Sequence, residues 1–395
     1  MKYILSFDIA KGRSVYCFID ETKRIIIEPT SINHYKDEFD KLYNAINKYK
    51  NLTIVMESTS VYHLPVENYF RSKGIETIVM NPKLVKQYKD TLNKSKTDKI
   101  DCFKIARCYL STIDNLYQKD DDYFMFNPLA RQYWSLVEGQ TRLKNRYRQL
   151  IEIVFPEFNL LFDDMYSDLA LNFIHDFPHP ILFVNRRIDY LMNYLKEQNG
   201  TTQAFRFRNK VLKMKSIASN SLCYVGFDSL QVQNLVQTIE MIQYHKQEIN
   251  KIKKQLVNNL KDSKQFKIIN SIPGFGEFST ALFLAEVGDI TRFNNKYQFV
   301  SFIGIDSVTI QSGKSEYHGS ISKTGSKFAR TILFNIITTL LQISAHSDKE
   351  NPIYLFFRKK QSEGKHHYKC IIACETKLCK IIYKLCTSNC LYKNK

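Results

Sequence analysis

The first hundred residues alternate between a two-residue and a helical period, in an order that few folds accept. Lys2 to Ile9 and Ser14 to Ile19 are apolar, β-branched runs separated by Lys11-Gly12-Arg13, which predicts a hairpin. Arg24 to Glu28 reads as a third strand. Asp37 to Tyr49 then carries Phe39, Leu42, Tyr43, Ile46 and Tyr49 at a helical spacing. A buried strand at Leu52 to Met56, a helix at Leu64 to Lys73 and a strand at Glu76 to Met80 follow. A further helix opens near Lys96 to Asp98, with Ile100, Phe103, Ile105 and Ala106 as core positions.

Three strands, then helix, strand, helix, strand, helix is the element order of an α/β ribonuclease-H-like fold, expected here over residues 1–115. In such a sheet the first and fourth strands are neighbours. Asp8 ends the first strand and Glu57 ends the fourth, so both carboxylates can enter one crevice. Asp98 and Asp101 are spaced i, i+3 and share a face if the helix starts there. Several hard oxygen ligands around one point suit Mg²⁺ (or Mn²⁺), and two such ions can activate a nucleophile and stabilise a leaving oxygen in phosphodiester cleavage. Taken singly, each acid has a plain alternative. Asp98 can cap a helix, Asp8 can end a strand, and Glu57 can be a surface charge.

Residues 129–262 read as a helical, coiled-coil middle. Gln132 to Val154 carries Leu136, Leu143, Tyr147 and Ile151; Leu230 to Leu260 carries Leu235, Ile239, Ile242, Ile249, Ile252 and Leu256, near-heptad in places. One helix cannot bury that stripe alone. Either the Gln132 to Val154 helix or a second copy of the chain must cover it. Within this middle, 159–227 mixes aromatic stretches such as Phe173 to Phe183 with basic ones such as Phe205 to Lys215, and no element is assigned to it. The last part, 266–395, is expected to be mainly α-helical, with helices at Phe278 to Val287, Lys296 to Phe302 and Gly325 to Ser344. Between the last two lies a stretch, Asp306 to Lys323, too rich in Ser, Gly and Lys for a core element.

Charge points to a polyanionic partner. Lys and Arg number 57 against 39 Asp and Glu, a formal net charge of +18. Each neutralised phosphate releases condensed counterions, although a lysine-rich solubilising surface gives the same balance. Ile332 to Ile343, the most apolar run, is shorter than the roughly 20 residues that span a bilayer, and Asp8 interrupts any signal-peptide core. Five of the nine cysteines, Cys370, Cys374, Cys379, Cys386 and Cys390, have a helical spacing without a Cys-x2-Cys pair, which fits reduced thiols better than zinc. Together these features predict a cytoplasmic protein without a membrane partner.

The segments FDIAKGRSVYCFID, VMESTSVYHLPVENYFRSKGIETIVMNP and KSKTDKIDCFKIARCY resemble the N-terminal, RuvC-like domain of the DEDD-type insertion-sequence transposases, relatives of the pilin-gene invertase. The stretch SIPGFGEFSTALFLAEVGDITRFNNKYQFVSFIGIDSVTIQSGKSEYHGSISKTGSKFARTILF resembles that family's second, transposase domain. The two matches cover roughly half of the chain and flank a helical middle, as the family's architecture requires. This chain has Ser60 where the family often has Gly.

The resemblance implies that Asp8, Glu57, Asp98 and Asp101 form a metal-binding tetrad. It implies that Ser312, before Gly313, is a nucleophile that attacks a DNA phosphate and holds the strand as a phosphoserine. Ser315, Ser320 and Ser322 are neighbours that residue type alone does not exclude. Lys314, Lys323, Lys327 and Arg330 become phosphate contacts, with solvated loop charges as the equal alternative. The implied partners are donor and target DNA, a structured guide RNA that pairs with both, and further copies of the chain as a dimer or tetramer. Two rival functions survive the sequence: a RuvC-like nuclease or Holliday-junction resolvase that needs the acids but not Ser312, and a non-catalytic nucleic-acid-binding protein.

Overall fold

The computed structural model describes all residues except 59–60, 81, 91–97, 113–122, 201–202, 313–314, 347–350 and 394–395. The chain divides into two compact units, Met1–Asp120 and Asp121–Lys395.

The first unit is built on five strands: β1 (Tyr3–Ala10), β2 (Arg13–Asp20), β3 (Ile25–Asn33), β4 (Leu52–Glu57) and β5 (Glu76–Met80). Their order is β3-β2-β1-β4-β5. The two hairpin pairings are antiparallel, while β1–β4 and β4–β5 are parallel. This is the strand order of a ribonuclease-H-like sheet. Gly12 has φ 72°, the left-handed conformation that the tight β1–β2 turn demands and a Cβ disfavours.

Alternation along β1 and β4 sends side chains to two cores. Leu5, Phe7, Ile54 and Met56 meet helices α1 (Lys36–Ile46) and α2 (Leu64–Ser72) through Phe39, Leu42, Ile46, Val66 and Phe70. Ile4 and Val55 point to the opposite face. There they meet Val85 of α3 (Pro82–Asp90) and Cys102, Ile105, Ala106 and Tyr109 of α4 (Asp98–Thr112). Helix α3 has no counterpart among the elements expected from the sequence. It is only nine residues long, with Pro82 at its start, and Val85 and Tyr88 pack into the core.

The second unit is helical apart from one ribbon. Two long helices, α5 (Asn127–Val154) and α10 (Leu230–Leu260), run antiparallel. Arg146 donates to Asn234 at 2.8 Å, and His245 lies 3.1 Å from the carbonyl of Leu136. Ile242 and Ile249 are buried, so the α10 stripe is covered within the chain at these positions.

Between the long helices lies a cap of four short ones: α6 (Asp168–Asp176), α7 (Pro180–Val184), α8 (Ile188–Gln198) and α9 (Arg208–Ser219). The sequence pattern assigns no element to this stretch. Apolar aromatics crowd much of the stretch and blur the period, and the cap is held by an aromatic core of Phe155, Phe158, Phe173, Phe177 and Phe183.

The remainder comprises α11 (Lys264–Asn270), α12 (Glu277–Val287), α13 (Lys296–Ile303), the antiparallel strands β6 (Ser307–Ser312) and β7 (Ser315–Ile321), α14 (Lys327–Ala345), α15 (Pro352–Ser362) and α16 (His367–Ser388). The polar stretch between α13 and α14, too hydrophilic for a core element, is therefore a two-stranded ribbon.

Ser229, Ser263, Asn295 and Ser326 each cap the helix that follows by accepting from a first-turn N–H. By length and composition α14 could cross a membrane, but Ile332, Leu333, Ile336, Ile337 and Leu340 are buried in the unit. Cys370, Cys374, Cys379 and Cys386 are buried on α16, and burial pushes the thiols of Cys374 and Cys386 up to about 12. Such thiols stay protonated.

Candidate active site

Parallel pairing of β1 with β4 sets Phe7 opposite Met56, and Asp8 and Glu57 are the next residue on each strand. Phe7 and Met56 point into the α1–α2 core, so alternation turns Asp8 and Glu57 towards the face covered by α3 and α4. A buried hydrogen bond fixes α4 there: Ser6 Oγ on β1 donates to the Cys102 carbonyl at 2.7 Å. Asp8 is close enough to act on the neighbouring thiol. Cys102 is pushed well above its ordinary value first by its hydrogen bond with Cys17, then by burial, and further by the charges of Cys17 and Asp8.

Asp101 lies next to Cys102 on α4 and is 7% exposed. Its Oδ2 is 3.3 Å from Lys89 Nζ, and the same ammonium is 3.5 Å from Glu57 Oε2. Lys104 Nζ is 3.7 Å from Asp101 Oδ1, an oxygen that is buried and accepts no hydrogen bond. Two carboxylates from different elements thus converge on one cation. Two carboxylates drawn to one point repel each other, and a shared positive charge offsets that repulsion.

Asp98 is the first residue of α4, three before Asp101, and its side chain lies outside the described residues. Among the described residues no group of three His, Cys, Asp or Glu side chains is close enough to hold a metal. The donor chemistry nevertheless fits a hard dication. Two carboxylates already share a cation, a third acid follows on the adjacent strand, and one buried carboxylate oxygen lacks a hydrogen-bond donor. Lys89 escapes sequence reasoning together with its helix. The available signal was Val85 and Tyr88 at i, i+3 behind Pro82, with Lys89 in the last turn.

The second candidate element lies in the other unit. Ser312 is the last residue of β6 and pairs with Ser315, the first of β7. Their side chains, Gly313 and Lys314 lie outside the described residues, as does Ser60. The base of the ribbon is tightly held. Ser322 donates to Asp306 Oδ1 at 2.6 Å, and its backbone N–H donates to the Asp306 carbonyl at 2.9 Å. Ser320 and Lys323 are exposed, and Lys327 sits over the Phe328 ring at 4.7 Å. Arg330 turns inward instead. Its guanidinium donates to the carbonyls of Ile303 at 2.7 Å and Gly325 at 3.1 Å, tying α13 to the start of α14. Gly325 is required at this junction, since a Cβ there would lie 1.9 Å from the Phe302 carbonyl oxygen.

No curated protein matches the chain. Two family models match, in order: the DEDD transposase of IS110 elements over residues 5–156 and the transposase of the IS116/IS110/IS902 family over residues 266–350. Together they span more than half of the chain, the first covering the acid-bearing sheet and the second the serine ribbon. The chain belongs to the IS110 family of DEDD transposases.

Proposed function

We propose that this transposase is a metal-dependent DNA recombinase that cuts and rejoins DNA through a serine-linked intermediate. Asp8, Glu57, Asp98 and Asp101 would hold Mg²⁺ or Mn²⁺, which supplies Lewis-acid polarisation of the scissile phosphate. The observation that carries this reading is the meeting of Glu57 and Asp101 on one cation, on the sheet face to which Asp8 also points. A merely structural acid pair has no need of a third carboxylate one strand away.

In the reaction, Ser312 Oγ attacks the phosphorus of a DNA strand. The Oγ–P bond forms, the bond from phosphorus to a deoxyribose oxygen breaks, and that oxygen leaves as a hydroxyl with the proton the serine gives up. The phosphoserine keeps the energy of the phosphodiester, so a hydroxyl of another DNA end can reverse the step and join to it. Lys314, which lies outside the described residues, and the exposed Lys323 and Lys327 would contact phosphate. Arg330 serves by holding the ribbon's base. The partners are donor and target DNA, further copies of this chain, and a guide RNA that the net charge of +18 can accommodate.

Asp8→Asn and Asp101→Asn test the acid assignment. Each should abolish DNA cleavage while leaving folding and nucleic-acid binding in place, because charge and not bulk is removed. Full cleavage by Asp8→Asn at ordinary Mg²⁺ concentration would sink the assignment. Sequencing the nucleic acid that copurifies with the protein tests the guide: one enriched noncoding RNA is expected, and a random mixture argues against it.

A further inference from the structure

We propose that Lys89 is the resident counter-ion of the acid site, an ammonium that holds Glu57 and Asp101 together until a divalent ion displaces it, and so sets how tightly the site takes metal. This rests on the metal reading above. The geometry is specific. Lys89 Nζ stands 3.3 Å from Asp101 Oδ2 and 3.5 Å from Glu57 Oε2, one cation between carboxylates from a strand end and a helix.

Lys89 belongs to neither of those elements. It projects from the last turn of α3, whose Val85 is fully buried in the same core as α4. The ammonium is thus delivered by a separately anchored helix and not by chance from a flexible loop. At 20% side-chain exposure and with a four-carbon stem, it has room to leave towards solvent.

The competition follows from charge and from shared oxygens. A dication that binds Glu57 and Asp101 needs the lone pairs that Lys89 now faces, and the two positive groups repel at that range. Without the ammonium, Glu57 loses this cation and Asp101 keeps Lys104 at a longer distance, both acids being partly desolvated. Lys89 therefore makes the metal-free site stable and its metal affinity weaker than the carboxylates alone would give. Lys104 offers an internal contrast. It approaches the other oxygen of Asp101, at 3.7 Å, from the next turn of α4 itself.

The test uses the full chain carrying Lys89→Met, with Lys89→Gln as a second neutral variant that can still donate hydrogen bonds and so preserve folding. Mn²⁺ affinity is measured by calorimetry or by the spin resonance of free Mn²⁺, and melting is followed in chelator and in saturating Mn²⁺. Both variants should bind Mn²⁺ about tenfold tighter than wild type or more, the scale set by removing one nearby unit charge. Each should also melt below wild type in chelator, and the gap should close when Mn²⁺ is added. A plain structural ion pair predicts the lower melting temperature but no gain in affinity. Unchanged or weaker Mn²⁺ binding in a folded variant overturns the proposal. Absence of Mn²⁺ binding in wild type and both variants alike overturns the metal reading itself, and this inference with it.

Discussion

Asp8 and Glu57 sit where a paired sheet places them, whereas Ser312 sits at the last paired position of a two-stranded ribbon. In the sheet, Phe7 and Met56 are buried on one face, and the same alternation that buries them directs Asp8 and Glu57 to the other. A one-residue slip would exchange both faces, so the core itself fixes the position of the carboxylates. In the ribbon, SVTIQS and SEYHGSI are mostly polar, and two strands alone are marginal in water. Among the described residues the ribbon is tied down at its base: Asp306 bonds Ser322, Arg330 bonds the Ile303 and Gly325 carbonyls, and Gly325 closely approaches Phe302. A buried register thus fixes Asp8 and Glu57, whereas the described contacts that tie the ribbon down lie at its base, away from Ser312.

The largest expected effect separates the two halves outright. Ser312→Ala should remove the protein–DNA adduct and strand exchange completely, while Mn²⁺ and DNA binding stay at wild-type levels. A denaturing gel of protein trapped on a nicked substrate reads the adduct as a shifted band. If the band persists in Ser312→Ala and vanishes in Ser315→Ala or Ser322→Ala, the nucleophile moves. Cleavage without any band favours a hydrolytic nuclease.

Next in size is the salt dependence of nucleic-acid binding. With ~6–10 neutralised phosphates, affinity should fall by roughly 10³–10⁵ between 50 and 200 mM salt. The charge is not spread evenly. Residues 180–220 hold eight Lys and Arg against Asp189 and Glu197, and Arg186, Arg187, Arg208 and Lys213 are exposed there. Replacing those four exposed cations by Gln should lower the salt slope by about one for each phosphate they neutralise. An unchanged slope would assign the surplus to solubility and place the phosphate-binding surface elsewhere.

Much of the first unit was legible in the sequence because its signals agree with one another. Strand alternation, the Gly12 turn and the i, i+3 spacing of Asp98 and Asp101 all describe one sheet with one helix over its acid edge. Lys89 was not legible, because α3 is a nine-residue helix with few apolar positions and its importance lies in a contact between elements. The cap from α6 to α9 stayed hidden for a related reason. Its order comes from aromatic packing such as Phe173 on Phe183, with ring centroids 5.2 Å apart, and the dense aromatics mask the helical spacing of residues such as Val211, Met214 and Ala218. Arg330, which the resemblance offers to phosphate with a solvated loop charge as the alternative, places one guanidinium nitrogen on two backbone carbonyls, a contact that residue type does not reveal.

Gly325→Ala is a moderate test of the idea that the ribbon is positioned from its base. The added Cβ would meet the Phe302 carbonyl oxygen at 1.9 Å, and backbone cannot step aside as a flexible side chain can. Overpacking of this kind costs about 1–3 kcal/mol, occasionally more. The adduct should therefore weaken strongly although Ser312 is intact, while Mn²⁺ binding in the first unit is unaffected. Equal adduct formation in Gly325→Ala and wild type would show that the junction does not position the serine.

The smallest expected effect concerns a buried acid within electrostatic reach of that same base. Glu375 on α16 is 3% exposed, and burial raises its carboxyl to about 8, opposed by the charge of Arg330. An acid whose folded value lies above its ordinary 4.5 binds its proton more tightly when folded. Its contribution to stability is then fully present below about 4.5 and is lost as pH rises through about 8. Glu375→Gln keeps the shape of the neutral acid and removes the titration. The variant and wild type should melt together near pH 4, and the variant should melt higher at pH 8.5, by about 2–4 °C per kcal/mol relieved. Because the comparison is a difference between two proteins, titration of other groups such as Glu286 cancels from it. If the ribbon base shares in this loss, adduct formation by wild type should decline across the same interval more than in Glu375→Gln. A melting difference that does not change with pH would mean that Glu375 is compensated in the folded chain, and that the base of the serine ribbon has no pH sensitivity from this source.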